Sequence, residues 1–183
     1  LGVDLSAEML KVARAKAAAA GVPAHWLLAN LVELGCLADQ SFDYAACLFS
    51  TLGMVAGRAE RLQLLRHVYR LLRPGGQFIL HVHNYWFNVW DPQGRAWLLR
   101  DWLRSLLGRA ERGDKVMPVH QGIAGLTLHL FTRREALRLL KEVGFRVAEV
   151  QPVSLRPDCR LPWPAWFGWL RSYGYLLAAE RPA

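Results

Sequence analysis

The sequence predicts an α/β protein with a doubly wound, mostly parallel sheet and helices on both faces. Short apolar runs alternate with helix-forming stretches along most of the chain, and repeated βα units of this kind build a parallel sheet. The opening residues, Leu1-Gly2-Val3-Asp4-Leu5-Ser6-Ala7-Glu8-Met9-Leu10, compress a strand end, an acidic residue and a helix start into one stretch. At 183 residues, the chain has material for one sizeable core, which predicts a single domain over 1–183.

Each element has a local reason. Ser6 is a natural N-cap, and the Ala-rich run to Ala20 is a strong helix former stopped by Gly21 and Pro23. His25 to Ala29 reads as a short buried strand. Asp39-Gln40-Ser41 is a turn signal before a second buried strand, Phe42 to Phe49. Leu62, Leu65, Tyr69 and Leu72 form a helical stripe, giving an amphipathic helix over about 59–72 with His67 on its surface. Pro74-Gly75-Gly76 is expected to end that helix before a strand from Gln77 to Val82. Thr132 and Glu135 form a capping box for a helix running to Val143, with Gly144 as its stop. Strands from Phe145 to Val150 and from Tyr173 to Ala179 complete the pattern. Between lies a long insertion, about 85–130, carrying Trp86, Trp90, Trp97 and Trp102. Apolar recurrence at Leu98, Trp102 and Leu106 predicts a helix from about Arg95 to Arg112 there, and a connection of this length reads as a functional cap.

Composition excludes several classes. Apolar residues make up 53% and charged residues 21%, the balance of a globular chain. The formal net charge is +8, but the excess is Arg scattered through helices, which reads as a solvated surface and not a specific nucleic-acid groove. Cys36, Cys47 and Cys159 are odd in number and widely spaced, so neither a disulfide framework nor a zinc site is expected, and a reducing, cytoplasmic setting fits. The tail Leu161 to Ala179 is broken by Pro164 and Arg171, so no transmembrane span is expected.

Three stretches, GVDLSAEML (Gly2 to Leu10), FDYAACLFSTLGMV (Phe42 to Val55) and LRPGGQFIL (Leu72 to Leu80), resemble the class I S-adenosylmethionine-dependent methyltransferases, in particular their bacterial small-molecule branch. A fourth, FTRREALRLLKEVGFRVAEV (Phe131 to Val150), resembles that family's late helix and penultimate strand. The resemblance implies a Rossmann-like sheet of seven strands whose last is inserted antiparallel. The chain opens at what would be the second strand and holds no GxGxxG-like loop, so the first strand and glycine-rich loop are expected to be missing from it. The resemblance also implies S-adenosyl-L-methionine as cofactor and a small-molecule acceptor. Asp4 then matches the acidic position that holds the ribose, and Leu5 the apolar neighbour that packs on the adenine. Asn30 stands where the family often has Asp, and its side-chain oxygen still accepts a hydrogen bond. Leu31 would offer its backbone N–H to the adenine, while Leu48 and Phe49 would line the pocket near the reacting centre.

Each of these residues has a plainer reading. Asp4 can cap the following helix with Ser6, and Leu31, Leu48 and Phe49 can be ordinary core. His83 and Asn84, just past the fifth strand, are placed to face an acceptor, with His83 as the candidate general base. His81 and His83 share one side of their strand, but without a third ligand the pair supports no metal site, and none is expected. Tyr85 and Trp86 can wall an acceptor pocket or simply pack. His120 and His129 receive no role. In the tail, Trp163, Trp166 and Trp169 recur every three residues and would share one face of a helix. Covering the sheet edge is the favoured reading, and a lid or a peripheral membrane contact the lesser ones. The Trp-rich additions favour an apolar or aromatic acceptor. Two other functions remain at this point: a nicotinamide-dependent oxidoreductase, which also holds a ribose on an acidic residue after its second strand, and a non-catalytic binding module on a degenerate version of the fold.

Overall fold

The computed structural model describes residues 1–108, 111–116, 119–120, 123–124 and 126–183, with the backbone alone for 119, 120, 123 and 124. Strand β1 (Gly2–Asp4) leads into helix α1 (Ala7–Ala19) and back to β2 (Trp26–Leu28), which lies parallel to β1 with Asp4 opposite Leu28. Ser6 caps α1 through its Oγ, which accepts from Met9 N–H at 3.3 Å. Gly2 lies under the Trp26 ring, which a Cβ there would meet at 2.5 Å and have to displace. Strand β3 (Phe42–Cys47) is followed by the short helix α2 (Thr51–Met54), α3 (Arg58–Leu71) and β4 (Leu72–His83), with β3 and β4 parallel.

The insertion comprises a 3-10 turn at Tyr85–Trp90, helix α4 (Pro92–Leu106) and four short strands, β5 (Asp114–Val116), β6 (Val119–His120), β7 (Ile123–Ala124) and β8 (Thr127–His129). β5 pairs antiparallel with β8, and β6 with β7. The chain then forms α5 (Arg133–Val143), β9 (Arg146–Val153), α6 (Gly168–Arg171) and β10 (Gly174–Glu180). The larger sheet has the order β3-β4-β10-β9, with β10 antiparallel to both neighbours. The antiparallel last strand expected from the resemblance is therefore present. Among the described residues the sheet comes in two pieces, β1–β2 and the four strands, with no ladder joining them.

Period two explains the core. In β4, Phe78, Leu80 and Val82 are fully buried, while Ile79, His81 and His83 on the other face are half-buried. The buried face packs on Leu64 and Leu65 of α3, Leu139 and Leu140 of α5, and Leu177 and Ala179 of β10. A second, smaller cluster joins Tyr85, Leu128 and Leu130 to Trp86, Trp97 and Leu98, fastening α4 to the body.

Several local expectations are corrected. Pro74-Gly75-Gly76 does not separate helix from strand but lies inside β4, which starts at Leu72. The register slips there opposite Phe42 and Tyr44, and Gly75 adopts φ +80°, the signature of a bulge. The α3 carbonyls of Tyr69 and Arg70, together with that of Leu72, are instead satisfied by the Arg181 guanidinium. His67 is not on the helix surface. It is buried, and its Nε2 lies 3.0 Å from the Val32 carbonyl. The predicted insertion helix is real but spans Pro92–Leu106, started by Asp91 as N-cap and Pro92 in its first turn. The Trp tail forms no continuous helix. Trp163 and Phe167 take φ +53° and +49°, and helix is confined to Gly168–Arg171.

Candidate functional site

The candidate cofactor residues sit at the carboxyl ends of β1, β2 and β3. Asp4 ends β1, and its Oδ1 accepts from Ser6 N–H at 2.7 Å while its carbonyl accepts from Ala29 N–H at 3.1 Å. The capping contact and the strand-end position thus coexist, and the turn fixes the orientation of the carboxylate. Leu5 follows, 73% exposed. After β2, Asn30 Oδ1 accepts from Val32 N–H at 3.3 Å, bending the chain so that Leu31 and Val32 pack against the main core. Leu31 is therefore partly the core residue its apolar character suggested.

The end of β3 is more unusual. Phe49 and Ser50 are consecutive non-glycine residues with φ +54° and +59°. Such a conformation costs roughly 1–2 kcal/mol per residue and persists where surrounding contacts hold it. Here they do: Ser50 is fully buried, its Oγ accepts from His83 N–H at 3.1 Å, and Thr51 Oγ1 donates to the Leu48 carbonyl at 2.8 Å. The bend turns Phe49 outward, 80% exposed, with Leu48 40% exposed beside it. Neither is core.

His83 ends β4, tied to the β3 bend through that Ser50 bond. Its ring centroid lies 4.6 Å from Tyr173 and 5.3 Å from His81. Burial pushes the His81 imidazole down and the Tyr173 phenol up, so both favour their neutral forms beside His83. Asn84 is a different case. It is buried, its Nδ2 donates to the carbonyls of Trp169 and Ser172, and its Oδ1 accepts from Trp86 N–H at 3.1 Å. Asn84 locks the tail to the end of β4 and does not face an acceptor. Tyr85 likewise turns inward, its hydroxyl donating to Asp101 Oδ2 at 3.0 Å.

A second polar group, to which the sequence assigned no role, gathers at His129. Nδ1 lies 2.6 Å from Asp114 Oδ1 and Nε2 2.8 Å from Glu135 Oε1, in a fully buried ring. Burial alone would lower its pKa, and so would Arg61. The hydrogen bond and charge of Glu135, with the Asp114 bond, outweigh both, and the net shift is upward. Glu111, His129 and Glu135 bring ligand-type atoms within 4.8 Å of one another, but the buried Arg61 already pairs with Glu111 and Asp114 already holds Nδ1. The group is an ionic tie between the insertion (Glu111, Asp114) and the body (Arg61, Glu135). His120 lies where its side chain is outside the described residues.

The structure thus brings together Leu48, Phe49 and His83 through the Ser50 bond, and Asp4 and Asn30 through the β1–β2 ladder. Ser50 and Tyr173 went unread in the sequence. A serine after a strand carries no distinguishing local signal, and Tyr173 reaches His83 only through the β4–β10 register, in which Gly174 faces His83.

Residues 1–76 match the methyltransferase domain family. Over 99% of the chain, the fold superposes on a SAM-dependent methyltransferase from Methanosarcina mazei with a TM-score of 0.76 at 21% identity, covering 81% of that protein. It also superposes on the Burkholderia thailandensis 1,6-didemethyltoxoflavin-N1-methyltransferase, solved with 1,6-didemethyltoxoflavin and S-adenosylhomocysteine (TM-score 0.59, 18% identity, 99% of this chain and 60% of that one). Among curated proteins, the methyltransferase phqN of Penicillium fellutanum is 26% identical over 168 residues, 88% of this chain and 43% of its own. The first two curated relatives it matches are spanned to 33% and 43% of their length. The chain thus has the fold of the SAM-dependent methyltransferases it superposes on, and its first 76 residues carry the sequence match to a methyltransferase domain.

Proposed function

We propose that the protein containing this chain transfers a methyl group from S-adenosyl-L-methionine to a small, apolar or aromatic acceptor. The observation that carries the reading is the set of strand ends: an oriented carboxylate at Asp4 and large apolar side chains, Leu5 and Phe49, left open to solvent. These fit the cofactor. A carboxylate suits a ribose diol, and exposed apolar side chains at strand ends suit an adenine and the reacting region. Bound there, the cofactor would supply a methyl carbon already activated by its sulfonium charge.

The chain's own contribution is alignment and exclusion of water. Asp4 would hold the ribose hydroxyls and Leu5 pack on the adenine. Asn30 would accept from the adenine amino group and the Leu31 N–H donate to the ring. Leu48 and Phe49 would line the approach of the acceptor, and an imidazole nitrogen of His83 would take the proton when the acceptor carries one. The insertion at 85–130 and the Trp163–Trp169 tail are read as a cap that shapes the acceptor side of one domain. A cytoplasmic setting accords with this reading, and among the described residues no helix is long and apolar enough to cross a membrane.

The test is calorimetric titration of the full protein with S-adenosylhomocysteine. Asp4→Ala is expected to weaken binding by about 1.5–3 kcal/mol, the scale of hydrogen bonds to a charged group. Unchanged affinity in a folded variant would remove the ribose assignment.

A further inference from the structure

Helix α4 has two apolar stripes, and one of them has no partner among the described residues. Gly94, Trp97, Leu98 and Asp101, at i, i+3, i+4 and i+7, face the body: Trp97 and Leu98 pack on the Tyr85 cluster, and Asp101 accepts from Gly113 N–H and Tyr85 OH. Leu99, Trp102, Leu103 and Leu106 repeat the same spacing on the opposite side, 47–65% exposed, with Leu107 beyond them. A surface helix normally turns charged residues outward. This one turns out leucine and tryptophan.

The charges on that outer side are all of one sign. Arg100 and Arg104, one turn apart, run along one flank of the stripe, and Arg95 stands near its start. Both acidic residues at the helix are engaged elsewhere, Asp91 as N-cap on Gly94 N–H and Asp101 inward. A Trp/Leu stripe edged by arginines, on a helix 15 residues long and so too short to span a bilayer, is the pattern of a helix that lies in a membrane interface. A second copy of the chain fits less well, since packing two such faces together would crowd one set of arginines against another.

We propose that the outer face of α4 docks on an anionic lipid bilayer, with Leu99, Trp102, Leu103 and Leu106 at the acyl boundary and Arg100 and Arg104 on lipid phosphates. The proposal rests on the helix alone and does not depend on which acceptor is methylated.

The test is co-sedimentation of the full protein with phosphatidylcholine vesicles, with and without phosphatidylglycerol. Binding is expected on the anionic vesicles, to weaken as salt is raised, and to be slight on phosphatidylcholine alone. Two double variants at exposed positions, Leu103→Glu/Leu106→Glu and Arg100→Glu/Arg104→Glu, are each expected to lower partitioning by at least about tenfold. The proposal is overturned by absence of binding, by equal binding to both vesicle types, or by double variants that partition like the parent. It is also overturned if the protein forms a concentration-dependent dimer that Leu103→Glu dissolves while vesicle binding is absent. The parent protein's own lipid and salt dependence remains decisive even if a variant fails to fold.

Discussion

The β1–α1–β2 unit and the β3–β4–β10–β9 sheet contrast sharply in packing. α1 contains no buried residue, and every residue of β1 is only half-buried. In the larger sheet, Leu72, Phe78, Leu80, Val82, Leu177 and Ala179 are all fully excluded from solvent. The proposed ribose carboxylate thus sits on the lightly packed piece, and most of the folding energy resides in the other. Ligand-binding segments are commonly drawn from the less stable parts of a protein. The contrast predicts that binding and stability separate under mutation.

The largest effect should come from the core. Phe78→Ala is expected to cost about 3–5 kcal/mol in chemical denaturation. Val12→Ala on α1, half-exposed, should stay within about 0.5 kcal/mol. Equal losses would erase the contrast.

Next comes the ionic tie at His129. His129→Gln should destabilise by about 1.5–3 kcal/mol at acid pH, because it removes charged hydrogen bonds to Asp114 and Glu135. The folded-state pKa is raised above 6.5, so the stabilisation from protonation is fully present below 6.5 and is lost as pH rises through the folded value. A denaturation series from acid to mildly alkaline pH should show that decline in the parent and a flatter profile in the variant. An identical slope in both would place the titrating group elsewhere.

Capping offers a finer comparison. Thr132 and Glu135 form a full capping box on α5, which buries Ala136, Leu139 and Leu140. Ser6 caps α1, which buries nothing. Both Thr132→Ala and Ser6→Ala remove a cap worth about 1 kcal/mol. The first should lower global stability, and the second should mainly speed amide exchange within α1. Asp4→Ala, which removes one hydrogen bond at the start of α1, should lower the unfolding free energy by no more than about 1 kcal/mol even as ligand affinity falls.

The elements best read from sequence are those whose causes are local. The α5 capping box, the left-handed Gly144 stop at φ +110° and the Ser6 cap all arise from residues within one turn, and all three stand where they were expected. What went unread depended on distant partners. Pro74-Gly75-Gly76 looks like a helix stop locally but becomes a bulge because β3 pairs across it. His67 looks like a polar residue on a helix surface until the Val32 carbonyl arrives from 35 positions away. The tail tryptophans have helical spacing, yet Asn84 and Tyr175 bond the Trp169 carbonyl and draw that segment down onto the sheet.

The same division runs through the candidate site. By itself the sequence determined the alternation of strands and helices, the acidic residue at the end of β1 and the family resemblance, because each is written in short motifs whose physics acts within a few residues. The tertiary structure alone decided that Phe49 and Ser50 take left-handed conformations, that Asn84 serves packing and not an acceptor, and that His129 is clamped by two carboxylates. Those outcomes come from hydrogen bonds and burial between segments remote in the chain, and such energies exist only once the sheet has brought the segments together.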